Sequence, residues 1–143
     1  MKTTVEIISR PDVSKNHNQP IFSATVSAGF PSPAADYQEG KLDLNRHLIK
    51  NPPATFFVRV TGDSMVGAGI HCGDLLIVDR SLEPKNKNVI IAVLNGELTV
   101  KRIKMSKNKI FLEPENENYP SQEINAGMEF EVWGVVTNVI HKL

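Results

Sequence analysis

The stretch VIIAVL-NG-ELTVKRIK at positions 89–104 limits more than any other what this chain can fold into. Two runs rich in β-branched residues flank an Asn95-Gly96 pair. Both central residues of a type I′ turn need positive φ, which Asn and Gly tolerate best, so the pair predicts a tight β-hairpin. Neighbouring segments carry the same signature: TFFVRVT (55–61), DLLIVDR (74–80), KIFLEP (109–114) and EFEVWGVVTNVIHKL (129–143) are apolar and bounded by turn residues. There is no internal repeat and no alternation of strand and helix patterns, so residues 55–143 are expected to form a mostly antiparallel β domain.

Upstream the text changes character. Residues 9–20 (SRPDVSKNHNQP) are polar, carry two prolines and show no periodicity, which reads as a mobile lead-in. Phe22, Ala24 and Val26 then alternate with Ser23 and Thr25, an extended segment that runs into the small residues and prolines of SAGFPSPAAD. Residues 43–50 suit a short helix, with Asp43 as N-cap, Leu44, Leu48 and Ile49 on one face, and Asn51-Pro52-Pro53 as the stop. The expected fold is therefore mostly β: a compact antiparallel β domain with a short helix and a mobile N-terminal arm.

Composition narrows the function. Lys+Arg and Asp+Glu both number 16, so the formal net charge is zero. Autonomous nucleic-acid binding ordinarily needs a basic excess that displaces counterions from phosphates, so no direct sequence-specific DNA binding is expected, and any link to DNA runs through a protein partner. The single cysteine, Cys72, excludes an intramolecular disulfide and fits a reducing compartment. The longest aliphatic run, Val89–Leu94, is six residues, too short for a membrane span. With no secretory h-region near the N-terminus, the cytoplasm is expected.

Several residues invite sharper readings than they support. Cys72 beside His71 falls in a glycine-rich turn, where small-residue packing is the ordinary role. His17, His47, His71 and His141 have no metal-ligand spacing, so neither a metal nor a cofactor is expected. Lys101, Arg102, Lys104, Lys107 and Lys109 are followed by Glu113, Glu115 and Glu117, a charge-balanced solvated face. Trp133 is expected in the core or at a subunit contact.

Three further features carry possible chemistry. Thr61-Gly62-Asp63-Ser64-Met65 ends a strand, turns through glycine and presents a serine followed by apolar residues. Lys101 interrupts the apolar text Leu98-Thr99-Val100-Lys101-Arg102-Ile103. Val26-Ser27-Ala28-Gly29 places small residues in an extended stretch. Singly, each is ordinary: a serine after glycine is usually a turn residue, and a strand lysine usually points to water. Val66 stands where a G-x-S-x-G nucleophile elbow needs glycine, which excludes that motif.

Together, GFPSPAADY (29–37), LDLN (42–45), GDSM (62–65), GDLLIVD (73–79), TVK (99–101) and GVV (134–136) resemble the LexA/UmuD family of self-cleaving proteases, most of all its UmuD-like members. The likeness covers roughly residues 22–140 and extends to the 37-residue step from Ser64 to Lys101. It implies that Ser64 is the nucleophile and Lys101 the general base. The backbone N–H groups of Ser64 and Met65 would form the oxyanion hole, and the Ala28–Gly29 bond would be the substrate. UmuD-like members carry Cys-Gly at the cut; Ala-Gly keeps a small residue there. The implied organisation is an N-terminal arm, 1–28, removed by self-cleavage, a linker and short helix, 29–54, and a protease and dimerisation domain, 55–143.

The dyad is physically reasonable. A lysine with a pKa near 10.4 is only about 0.04% neutral at pH 7, yet desolvation can lower a lysine pKa by about 3–5 units. Glycine at the cut admits close approach of the backbone, and a tethered substrate removes the entropic cost of encounter. Tethering also forbids constant cleavage unless docking is unfavourable at rest, so a trigger is expected.

The resemblance supplies the rest: a RecA filament on single-stranded DNA as the trigger of an SOS response to DNA damage, a homodimer, and a processed form that serves a UmuC-like Y-family polymerase in translesion synthesis. A LexA- or phage-repressor-like regulator is the alternative, although 28 residues before the cut are too few for a helix-turn-helix domain. A signal-peptidase-like enzyme would need a membrane anchor, and an inactive relic would not be expected to retain Ser64, Lys101 and Ala28–Gly29 together.

Overall fold

A computed structural model describes residues 3–15, 18–22 and 38–143 of the chain. It divides into two compact units, one formed by the chain up to Pro11 with Asn51–Leu143, the other by Asp12–Lys50.

The larger unit is one eight-stranded antiparallel sheet. Its strands are β1 (Thr4–Ser9), β4 (Thr55–Thr61), β5 (Leu75–Asp79), β6 (Val89–Leu94), β7 (Glu97–Ser106), β8 (Lys109–Glu113), β9 (Gln122–Ile124) and β10 (Phe130–Ile140), in the order β1-β4-β5-β10-β6-β7-β8-β9. The β6–β7 hairpin turns as its sequence dictates, with Leu94 paired to Glu97 and positive φ at Asn95 (49°) and Gly96 (82°).

Alternation along each strand sorts the apolar side chains onto two faces. Val58, Val60, Met65, Ile70, Leu76, Val78, Ile91 and Val100 form one buried cluster. Ile90, Ala92, Ile103, Leu112 and Val135 form another. Strand β6 feeds both, Ile91 to the first and its neighbours Ile90 and Ala92 to the second, and is therefore apolar at every position. Trp133 packs against the first cluster and meets the Phe56 ring edge-on, with the Arg80 guanidinium over its face.

The smaller unit contains the two-stranded ribbon β2 (Asn18–Phe22) and β3 (Gln38–Asp43), then helix α1 (Leu44–Leu48). The Asp43 carboxylate accepts from the Asn45 N–H at 3.0 Å, the N-cap that its sequence position predicts. Ile49 is buried, but Leu44 is 61% exposed, so one five-residue helix does not bury the whole expected face.

Four strands, β1, β2, β3 and β9, have no counterpart in the sequence reading. Residues 4–9 form β1, paired in register from Thr4–Thr61 to Ile7–Val58. Asn18–Phe22, within and just beyond the polar lead-in, form β2 against β3. In β1 and β2, ladder hydrogen bonds to a partner strand offset a weak local signal.

Candidate active site

Strand β4 delivers Ser64. At its end Gly62 takes φ 93°, a left-handed conformation that glycine adopts without strain, and the chain turns through Asp63 and Ser64 into a single 3-10 turn at Val66–Ala68. The loop after β8 clamps this turn. Glu115 N–H donates to the Ser64 carbonyl at 2.8 Å, and Gly67 N–H donates to the Glu115 carbonyl at 2.7 Å. The Asn116 amide donates to the Asp63 carbonyl at 2.9 Å, and the Tyr119 hydroxyl to the Asp63 carboxylate at 2.6 Å. That last bond holds the Asp63 carboxyl below its ordinary pKa and raises the Tyr119 phenol. A Cβ at position 67 would lie 2.7 Å from the Glu115 carbonyl oxygen, so only glycine admits the clamp at this distance.

Strand β7 delivers Lys101. Its Nζ lies 3.2 Å from Ser64 Oγ, 3.2 Å from Thr99 Oγ1 and 3.0 Å from the Val100 carbonyl. Ser64 is 1% exposed, and Lys101 is partly buried. A neutral amine has two N–H donors and one lone pair. Thr99 and Val100 both accept from this nitrogen, and Ser64 Oγ lies within hydrogen-bonding reach of it.

The serine also has a third neighbour. Thr3, directly before β1, is 5% exposed; its Oγ1 lies 2.5 Å from Ser64 Oγ and accepts from the Ser64 N–H at 3.0 Å. All three side chains line a cavity of about 250 Å³, walled also by Leu98, Leu112 and Tyr119.

The structure thus brings Ser64 and Lys101, 37 positions apart, into hydrogen-bonding reach and places Met65, buried at 1% exposure, next to the serine. Ala28 and Gly29 lie outside the described residues. Sequence reasoning missed Thr3, Thr99, Asn116 and Tyr119 as neighbours of the site. For Thr99 the signal was available, because residues two apart on a strand share a face. The others meet the site only through tertiary contacts.

Cys72 is exposed rather than packed. Three basic side chains of β7 and β8 form ion pairs, Arg102–Glu115, Lys104–Glu113 and Lys109–Glu123, whereas Lys101, expected on the same solvated face, is partly buried beside Ser64. Among the described residues no helix is long and apolar enough to cross a membrane.

A serine at a strand end with a lysine amine 3.2 Å from its hydroxyl, in a mostly antiparallel β unit, is an arrangement that suits serine-peptidase chemistry. The family model described as Peptidase S24-like matches residues 20–137, and the chain belongs to that family. Within it the chain is a UmuD-like member of the LexA/UmuD group. It is 49% identical over 123 residues to Protein SamA of Salmonella typhimurium strain LT2, covering 86% of this chain and 85% of that one. Protein ImpA of Escherichia coli is 41% identical over 142 residues, 99% of this chain and 97% of the relative. Protein MucA of Escherichia coli is 39% identical over 135 residues, 94% and 92% of the two chains.

Proposed function

We propose that this chain is a cytoplasmic, self-cleaving serine protease that cuts its own Ala28–Gly29 bond, with Ser64 as nucleophile and Lys101 as general base. The observation that carries the reading is the 3.2 Å approach of Lys101 Nζ to Ser64 Oγ. In the first step the serine proton passes to the neutral amine as Oγ attacks the Ala28 carbonyl carbon. The carbonyl oxygen becomes an oxyanion received by the backbone N–H groups of Ser64 and Met65. The ammonium then protonates the departing Gly29 nitrogen, leaving Ala28 esterified to Ser64, and a water activated by the same amine releases residues 1–28.

Thr3 supports a restrained resting state. Its hydroxyl engages both Ser64 Oγ and the Ser64 N–H, the groups that attack and oxyanion binding require. Docking of the 28–29 bond therefore requires Thr3 to leave, and a trigger works by favouring the exchanged conformer.

The trigger in this reading is a RecA filament on single-stranded DNA. The trimmed protein, a homodimer, then serves as accessory subunit of a UmuC-like error-prone polymerase during SOS mutagenesis. Incubation of purified full-length chain with RecA filaments tests it. A 115-residue product, residues 29–143, should accumulate faster than without filaments and be absent from Ser64→Ala and Lys101→Ala. An unchanged rate would overturn the trigger, and processing at 28–29 in both variants would overturn the dyad.

A further inference from the structure

Among the described residues, one cluster of metal-ligating side chains lies away from the Ser64 cavity: His71, Asp74 and His141. Strand pairing assembles it. Leu75 pairs with Ile140, so Asp74, just before β5, faces His141, just after β10. His71 joins them through a tight turn in which Asp74 N–H donates to the His71 carbonyl at 3.0 Å and His71 N–H donates to the Asp74 carboxylate at 2.7 Å. The turn is anchored to β4 by bonds from Gly73 N–H to the Val60 carbonyl (2.8 Å) and from Val60 N–H to the Asp74 carbonyl (3.1 Å). Asp74 is 3% exposed and held in place, whereas the two imidazoles are about half exposed.

We infer that these three side chains form a binding site for a divalent first-row transition metal, with zinc as the best match. His141 Nδ1 lies 2.6 Å from Asp74 Oδ1, His71 Nδ1 lies 3.8 Å from Asp74 Oδ2, and one ligand atom from each of the three residues falls within 4.8 Å of the others. Tetrahedral zinc with N and O ligands at roughly 2.0–2.2 Å spaces its donors about 3.4 Å apart. The His141–Asp74 pair thus has to open by less than an ångström while the widest pair closes by more, motions that exposed imidazoles can make. Two imidazole nitrogens and one carboxylate select zinc, nickel, cobalt or copper over magnesium and calcium, which take oxygen ligands. Three protein ligands leave a fourth position for water or an outside donor. The metal would staple the end of β10 to the turn before β5. His71 and His141 stand 70 positions apart, so no sequence spacing reveals the site.

The inference does not involve Ser64 or Lys101 and stands or falls separately from self-cleavage. The test is titration of chelator-treated, full-length protein with zinc chloride by calorimetry, with the melting temperature measured in parallel. Wild type and Cys72→Ala should each bind one equivalent and melt higher with zinc. Removing a group that merely orients a metal ligand costs roughly 10–100-fold in affinity. Loss of a direct ligand in His71→Ala or His141→Ala should cost at least the upper figure, about 100-fold, and abolish the thermal shift. Both histidines are exposed, and matched urea midpoints in chelator would confirm that the variants fold. Absence of zinc binding by the wild type, or an equivalent that survives either histidine substitution, would overturn the site and leave the His141–Asp74 contact as a hydrogen bond only.

Discussion

At the scale of single residues, the proposed dyad gives Thr99 the task of positioning the Lys101 amine. Its hydroxyl and the Val100 carbonyl accept from the same amine that reaches Ser64. Thr99→Val keeps the shape and removes the acceptor. Self-cleavage should slow by about ten-fold, short of the 10²–10⁴ that a general base supplies, because the amine is misaimed rather than lost. A Thr99→Val rate equal to wild type, measured in single-turnover cleavage, would refute the positioning role.

Asp79 supplies a second residue-scale prediction. Burial opposes its ionised form, but hydrogen bonds from the Asn51 amide (2.8 Å) and from the Ser81 hydroxyl and N–H (2.6 and 2.8 Å) outweigh it, and its pKa lies below 3.8. A carboxyl depressed in the folded state adds stability above its unfolded pKa and loses it as pH falls through the folded value. The urea midpoint of Asp79→Asn should therefore sit below wild type at pH 7 and keep that gap down to about pH 5. Under pH 3.8 the gap should shrink. A gap independent of pH would show that the charge contributes nothing.

At the scale of elements, strand β1 is the one on which the proposed restraint of Ser64 depends. It occupies the edge of β4 and thereby sets Thr3 against the serine. A strand held at an edge by six residues can exchange with another extended segment of the same chain, since main-chain ladder bonds are largely indifferent to sequence. Thr3→Val removes both hydroxyl contacts while leaving the ladder. Untriggered cleavage should then rise above the wild-type rate; a rate unchanged or lower would mean that Thr3 does not restrain Ser64.

Across the whole molecule, the central strands were legible because β4, β5, β6 and β7 are rich in β-branched and other apolar residues, and because Asn95-Gly96 strongly favours a type I′ turn. Strand β9 was not: Gln122-Glu123-Ile124 is three residues with a single apolar side chain, and it forms only because β8 offers a partner edge. The clamp on Ser64 was equally hidden. Asp63 meets Asn116 and Tyr119 across 53 and 56 positions, and nothing in the local text of either segment announces the other. Ser64 and Lys101 could be singled out from family-like motifs, whereas Thr3 stands in text that carries no motif. Local pattern thus reports the elements, and tertiary pairing decides which of their ends meet.

The account depends on the amine at 101 deprotonating the hydroxyl at 64. Intact mass measured over time at pH 7 and pH 10, for wild type beside Ser64→Ala and Lys101→Ala, addresses that most directly. Wild type should yield complementary fragments ending at Ala28 and starting at Gly29, faster at pH 10 as more amine is neutral, while both variants stay whole. Cleavage of Lys101→Ala at the wild-type rate, or a wild-type rate no faster at pH 10, would contradict it.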